Sequence, residues 1–319
     1  SKIAAVKFAP LLNYTLNETL DFKIHSKMYL VSGQSLTRFG EGAPQNGFFL
    51  HEALVNFKPL NFASFHAGAI NQEFLSAPLL LDDKAFPGVM EKVFLKNQNY
   101  EIAFIAEQTI PTSSSLSTKT VDKEESPTLL TETLKGSLQA FKGLKLELQG
   151  TLFHFNSLPS QVAFDSAVYG NSTPLMLGPN TANFKYNFNG WLVGAKTEIS
   201  LQESLRIVLG GYMLSNSEAP DAFNHGQSAY IEPALDLSSN VTFSSRATTF
   251  FNESDSSPAY YNSFLLGHNN RQGFSVDGKL KFKKEGFDIS SMYVDSDLIN
   301  QSLNQSRQQF LMIKLEAQY

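Results

Sequence analysis

The stretch that decides the fold closes the chain and has the sequence FLMIKLEAQY over residues 310–319. One side of it carries Leu311, Ile313, Leu315, Ala317 and Tyr319. The other side carries Lys314, Glu316 and Gln318. A period of two residues is typical of a β-strand with one apolar face. The last strand of a soluble β-sandwich would show the same alternation, so this stretch alone leaves two fold classes open.

The same alternation recurs in segments 20–30, 144–152, 241–251 and 274–282. In the last of these, Phe274, Val276, Gly278, Leu280 and Phe282 alternate with Ser275, Asp277, Lys279 and Lys281. Many of the predicted strands are about twice as long as the usual five or six residues. A tilted strand that crosses a membrane needs about 9–11 residues, so their length favours a membrane barrel over a sandwich.

Short and long connections between these strands alternate along the chain. Tight joins are predicted at 17–18, 58–59, 96–99, 142–143, 202–203, 238–240 and 283–286. Long polar segments lie at 33–45, 73–88, 112–126, 157–182, 216–225, 253–270 and 297–305. This alternation is the pattern of periplasmic turns and extracellular loops in outer-membrane barrels, and a sandwich with Greek-key links has no reason to keep it.

The fold class predicted for residues 1–319 is therefore all-β, a single transmembrane antiparallel β-barrel with short periplasmic turns and long extracellular loops. The predicted strands are 2–16, 19–32, 46–58, 60–72, 89–96, 98–111, 127–141, 144–156, 183–199, 204–215, 226–238, 240–252, 271–283, 286–296 and 306–319. Bacterial single-chain barrels have even strand numbers, so we expect sixteen strands, with fourteen as the alternative.

Composition narrows the class further. The chain has 319 residues, no cysteine and a formal net charge of −5. Its longest apolar run, at 78–81, is far shorter than the roughly 20 residues of a membrane helix. The acidic balance argues against a nucleic-acid partner. No signal peptide is visible at Ser1, and we expect a mature form from which a leader has been removed.

Three motifs in the first third of the chain, 52–60 (EALVNFKPL), 66–68 (HAG) and 86–88 (FPG), resemble porins of the phosphate-selective type. The C-terminal stretch 310–319 resembles the β-signal of Gram-negative outer-membrane proteins. The resemblance implies a porin in outer-membrane lipid, a water-filled channel for ions and small hydrophilic solutes, and a homotrimer. It does not imply phosphate selectivity, because no dense ladder of arginine and lysine is present. A substrate-specific transporter and a structural or adhesive barrel are the alternatives.

Charged side chains on the interior face of the predicted strands are the candidate pore lining. The basic ones are Lys23, Lys27, Lys135, Lys145, Arg206, Arg246, Lys279 and Lys281. The acidic ones are Asp21, Glu101, Glu107, Glu147, Asp277 and Asp288. Rows of opposite charge on different parts of the wall select ions in wide pores. The alternative is that each side chain only keeps the inner wall wet.

The loop 73–88 is the candidate constriction. It holds the apolar run 78–81 and then Asp82, Asp83 and Lys84, and folding into the lumen would bury that run. Packing against a neighbouring subunit or other loops is the alternative. The competing loop is 157–182, with Phe164, Tyr169, Leu175, Met176 and Leu177.

No catalytic residue, cofactor or metal site is predicted. The histidines stand at positions 25, 51, 66, 154, 225 and 268, scattered over different strands and loops. None of them forms a pair at the spacings that metal sites use, and no nucleophile motif accompanies them. The loop charges Asp122, Glu124 and Glu125 are the weak alternative for a divalent cation.

Overall fold

A computed structural model describes residues 2–34, 47–112, 124–174, 178, 179 and 181–317. These residues form one antiparallel sheet of sixteen strands. The strands are β1 (Lys2–Phe8), β2 (Leu11–Asn17), β3 (Leu20–Gln34), β4 (Gly47–Leu60), β5 (Ala63–Asn71), β6 (Ala85–Lys96), β7 (Tyr100–Thr109), β8 (Thr128–Phe141), β9 (Leu144–Asn156), β10 (Phe188–Gln202), β11 (Leu205–Asn216), β12 (His225–Asp236), β13 (Val241–Asn252), β14 (Arg271–Phe282), β15 (Phe287–Leu298) and β16 (Gln308–Ala317). A 3-10 helix (Gln72–Leu75) and an α-helix, α1 (Ser160–Val168), lie in the connections.

Each strand from β3 to β16 pairs with its neighbour in sequence, and β1 and β2 both pair with β3. The register of β1 and β2 is continuous, with Phe8 opposite Met28 and Leu11 opposite His25. They are therefore one strand interrupted at Pro10, which has no N–H to give to the ladder. The predicted count of sixteen is confirmed, and the sixteenth strand arises from this break. Among the described residues, no ladder joins β1 or β2 to β16.

One face of the sheet exposes large apolar side chains along nearly every strand. Leu148 is 66% exposed, Leu134 56% and Val193 54%. Such a continuous apolar surface matches the lipid-facing band of a membrane barrel and would be costly in water. We refer to it as the outer face. In the described part of the chain, no helix is long and apolar enough to cross a membrane.

The packed core lies on the opposite, inner face and is built largely by the connections. Segments 72–84, 157–174 and 253–270, which we call the inner layer, supply buried residues such as Leu80, Val162 and Tyr261. These pack against wall residues such as Phe153 on β9 and Leu214 on β11. All three segments belong to the long connections, so the inner layer lies near the end of the sheet opposite the tight turns.

The connections differ from the sequence prediction in two places. Strand β6 begins at Ala85, because residues 85–88 pair with β5, so the connection preceding it is 72–84 instead of 73–88. The loop predicted at 157–182 contains helix α1. Most of the loops predicted at 33–45 and 112–126 lies outside the described residues, as do Asp122, Leu175, Met176, Leu177 and the terminal Gln318 and Tyr319.

Candidate functional site

Segment 72–84 begins with a capped 3-10 turn and continues into a buried apolar run. The side chain of Asn71 accepts a hydrogen bond of 2.7 Å from the Glu73 N–H and starts the turn. Leu79, Leu80 and Leu81 are then each at most 2% exposed. Their burial explains the apolar run in a polar connection: the three leucines are core residues of the inner layer.

The backbone of Leu79 links segment 72–84 to strand β11 and to segment 253–270. Its N–H donates to the Tyr212 hydroxyl on β11 at 2.9 Å. Its carbonyl accepts from Ser257 Oγ at 2.6 Å and from Asn262 Nδ2 at 3.3 Å. Buried backbone groups away from regular structure need such partners, so the segment is fixed in one position.

Asp83 joins the same segment to strands β3 and β4. Lys27 Nζ lies 2.6 Å from Asp83 Oδ2, and His51 Nδ1 lies 2.5 Å from Asp83 Oδ1. Lys27 on β3 and Tyr212 on β11 both contact segment 72–84, although eight strand positions separate β3 from β11 in the sheet. The sheet therefore curves around the segment, which crosses the space that it encloses.

The two charged residues beside Asp83 are more deeply buried. Burial raises the pKa of the Asp82 carboxyl above its ordinary value, and a hydrogen bond from Ser263 opposes this. Burial lowers the pKa of the Lys84 ammonium, which lies 5.6 Å from the centre of the Tyr260 ring. Both shifts disfavour the charged forms, as expected for groups withdrawn from water.

A network of buried amide side chains holds segment 253–270. Asn171 Nδ2 donates to the carbonyls of Ser254 (2.7 Å) and Ser257 (3.0 Å), and Asn171 Oδ1 accepts from the Ala259 N–H. His268 stacks on Tyr169 with 4.2 Å between ring centroids. Burial lowers the pKa of His268 to about 3, so its ring is neutral at physiological pH. The buried amide of Asn171 therefore fixes segment 253–270 through three hydrogen bonds.

A cavity of about 990 Å³ lies between the inner layer and the turn end of the sheet. Ser76, Pro78, Asp82 and Leu266 of the inner layer line one end of it. The basic side chains lining it are Lys92, Lys135, Lys145, Lys196, Arg206, Arg246, Lys279 and Lys314. The acidic ones are Asp82, Glu101, Glu147, Glu198, Glu232 and Asp277. The lining thus has eight basic and six acidic side chains, although the whole chain is acidic.

Most of these charges are paired, Lys145 with Glu147 on the same strand and the others across neighbouring strands. The ion pairs are Lys92–Glu101 (3.1 Å), Lys145–Glu147 (2.6 Å), Lys196–Glu147 (3.3 Å), Arg206–Glu198 (3.5 Å), Arg246–Glu232 (2.5 Å) and Lys279–Asp288 (2.7 Å). The pairs in which both side chains are partly exposed contribute little to stability, about 0–1 kcal/mol each; in the Lys279–Asp288 pair the aspartate is buried. Their consequence is a hydrated wall that carries both signs of charge.

The structure places most of the predicted lining residues on the inner face. Arg206, Arg246, Lys279 and Asp277 line the cavity, and Asp277 stands directly opposite Arg246. Lys23 pairs with Glu52 at 2.5 Å. Lys281 is exposed nearer the turn and is not among the cavity's lining residues.

Sequence reasoning missed several charged residues of the cavity. They are Lys92, Lys196, Glu198, Glu232 and Lys314. The alternation of Trp191, Val193 and Ala195 with Lys196 and Glu198 was a signal for two of them.

One group of side chains has ligand atoms close enough for a metal ion. The ligand atoms of His51, Glu73 and Asp83 all lie within 4.8 Å of one another. However, the Lys27 ammonium contacts both oxygens of Asp83, at 2.7 and 2.6 Å, and Asn71 Nδ2 lies 2.6 Å from His51 Nε2. A cation and a donor already satisfy these ligands, so the group serves as an anchor for segment 72–84.

Comparison with solved structures gives the fold class. Pseudomonas putida OprB matches with a TM-score of 0.62 at 11% identity, covering 99% of this chain and 88% of that one. A loop-deletion form of OmpT, an outer membrane protein of Vibrio cholerae, matches with a TM-score of 0.54 at 9% identity, covering 92% and 91%. Wzi of Escherichia coli, an outer membrane protein involved in capsule assembly and a carbohydrate-binding β-barrel, matches with a TM-score of 0.55 at 11% identity, covering 99% and 71%.

No protein-family model and no curated protein sequence matches the chain. At these identities the structural matches establish the fold alone. That fold is the β-barrel of Gram-negative outer-membrane proteins, as the alternating strands predict.

Proposed function

We propose that the chain forms a water-filled channel across the outer membrane for passive diffusion of ions and small hydrophilic solutes. The observation that carries this proposal is the cavity of about 990 Å³ lined by charged side chains of both signs. A wall of this many strands encloses more space than its own side chains can fill. Charged residues on the inner face of such a wall indicate an aqueous interior.

Segment 72–84 is the proposed constriction. It crosses the interior between β3 and β11 and lines one end of the cavity with Ser76, Pro78 and Asp82. Solutes would pass between the inner layer and the wall. The excess of two basic side chains in the cavity favours a weak preference for anions.

The second candidate is a barrel whose interior is closed by the inner layer, with a transport or structural role that needs no open pore. It is favoured by the dense packing of that layer, in which Leu79, Leu80 and Tyr261 are all 0% exposed. A closed barrel would bind solutes in the cavity without conducting ions.

Thiol modification at the constriction tests the proposal. The chain has no cysteine, so Ser76→Cys introduces a single thiol at a side chain that is exposed to the cavity. A bulky methanethiosulfonate reagent is expected to lower the conductance of Ser76→Cys channels in a planar bilayer. Ser239→Cys, in the exposed turn between β12 and β13, is the matched control and should be unaffected.

Three outcomes distinguish the candidates. Block of the Ser76 variant alone supports a channel constricted by segment 72–84. Conductance that the reagent leaves unchanged would show that ions pass elsewhere. A folded barrel with no conductance would contradict the channel and favour the closed barrel.

A further inference from the structure

Two glutamates point away from the interior, toward the membrane. Glu91 on β6 and Glu132 on β8 are exposed and lie on the outer face, in line with Val93 and Leu134 of the same strands. Both stand directly opposite Ala106 of β7, one from each side. Their Cα atoms are therefore two strand spacings, or about 10 Å, apart.

Neither position is at the rim of the sheet. Glu91 is the seventh residue of the twelve in β6, and Glu132 is the fifth of the fourteen in β8. Within β4–β15, the other charged side chains on the outer face are Asp295 and Asp297, which lie at the loop end beside Arg307. In the described part of the chain, no ion pair engages Glu91 or Glu132.

An ionised carboxylate facing hydrocarbon is unfavourable, and polar side chains inside a membrane normally meet a partner. No lysine or arginine lies on the outer face of the same strands. Among the described residues, the outer face of these strands therefore offers the two glutamates no cation, and the surface of a neighbouring molecule can supply their partners.

The surrounding surface is suited to close contact. Small side chains lie on the outer face at Ala67 and Ala69 of β5 and at Ala106. A Cβ atom placed on Gly136 or Gly150 would meet nothing within 4 Å, so these glycines leave shallow gaps in the outer face. Small residues at membrane-facing positions let a second protein surface approach closely.

The same surface also carries hydrogen-bond donors. Gln108 on β7 and His154 on β9 are exposed on the outer face and flank Leu130. Gln108, Leu130 and His154 lie side by side across β7, β8 and β9, just as Glu91, Ala106 and Glu132 lie side by side across β6, β7 and β8. The two rows are two residues, or about 7 Å, apart along the strands. One sector of the wall thus offers two acceptors in one row and two donors in the next, so that it complements itself.

We propose that the outer face of β5–β9 around Ala106 is the contact surface with a second copy of this chain. Glu91 and Glu132 of one copy accept hydrogen bonds from Gln108 and His154 of the next, while the alanines and glycines bring the two walls together. Self-complementarity selects a second copy over another protein, and lipid acyl chains offer the two carboxylates no hydrogen-bond donor. The inference rests on the part of the proposed function that places the chain across a membrane.

Disulfide cross-linking tests this surface directly. Ala106→Cys places a thiol between the two glutamates, and Ala229→Cys on β12 is a matched control at another exposed outer-face alanine. After oxidation in native outer membranes, most of the Ala106 variant should migrate as a dimer on a non-reducing gel, and the Ala229 variant as a monomer. Heat-modifiable migration of both variants verifies that they are folded.

A double substitution, Glu91→Gln with Glu132→Gln, tests the role of the carboxylates. It should lower the mass of the purified particle measured by light scattering toward that of one copy, while the single-channel conductance of each protomer stays unchanged. The proposal is overturned if Ala106→Cys stays monomeric while reacting fully with a lipid-soluble maleimide, or if it cross-links to a different protein. Because conductance is measured separately, loss of the channel proposal and loss of this surface are distinguishable.

Discussion

Truncation of Leu80 to alanine tests whether the inner layer is a packed core. Leu80 is 0% exposed within the cluster that includes Tyr261 and Phe153. The substitution removes three carbon atoms, worth about 0.8 kcal/mol each by transfer, and leaves a cavity. We therefore expect the free energy that holds the layer closed to fall by about 3 kcal/mol. This corresponds to opening the layer roughly 150 times more often.

Hydrogen–deuterium exchange of the folded barrel measures that opening. The reporting amides are Leu81, which donates to the Ala77 carbonyl, and Asp82, which donates to the Tyr261 carbonyl. Both should exchange roughly 150-fold faster in Leu80→Ala, since exchange follows the local opening free energy. Leu303→Ala is the matched control, because Leu303 is 93% exposed and its truncation leaves no cavity. Unchanged protection at both amides would refute the assignment of Leu80 to a packed core.

Three further predictions concern charged residues. The pKa of Asp82 is raised in the folded layer, so the closed layer binds a proton more tightly and gains stability as the pH falls through that raised pKa toward 3.8. At pH 7 the amides of the layer in Asp82→Asn should therefore be better protected from exchange than those of the parent chain, and their protection should not depend on pH in this range. A parent layer that becomes less stable on acidification through that range would contradict the shift. Lys27→Gln should release Asp83, loosen segment 72–84 and so increase the conductance, whereas Lys281→Gln, an exposed control, should not. Equal effects of the two substitutions would show that the Lys27–Asp83 ion pair does not anchor the segment. Replacing Lys145 and Lys196 by glutamate changes the lining from eight basic and six acidic side chains to six basic and eight acidic ones, so the reversal potential in a salt gradient should shift toward cation preference. Lys142→Glu, in the exposed turn, is the control and should leave the reversal potential unchanged. A shift of equal size in the control would contradict the assignment of Lys145 and Lys196 to the channel lining.

Strand phase was the part of the fold most accessible from the sequence. In β14, the alternation of Phe274 and Val276 with Asp277 and Lys279 correctly assigns the outer and inner faces, because one face of a barrel wall meets lipid and the other meets water. Pro10 explains why the first predicted strand is divided into two, since proline interrupts the ladder without changing the register.

The arrangement of the connections was less accessible. Helix α1 is short and has no side-chain cap at Pro159, so no local signal marks its start. The apolar run at 78–81 indicated burial, but its partners on β11 and in segment 253–270 are more than 130 residues away in sequence. Glu91 was also hard to recognise from the sequence. A glutamate in a strand is ordinary, and it becomes unusual only when the pairing of β6 with β5 and β7 places it on the outer face.

The measurement that tests the central claim most directly is single-channel conductance of the purified protein in a planar lipid bilayer, with the reversal potential measured in a salt gradient. We expect stepwise openings, with a reversal potential that shows a weak anion preference because the cavity has two more basic than acidic side chains. A protein that inserts as a folded, heat-modifiable barrel and gives no openings would contradict the channel and identify the inner layer as a closed plug.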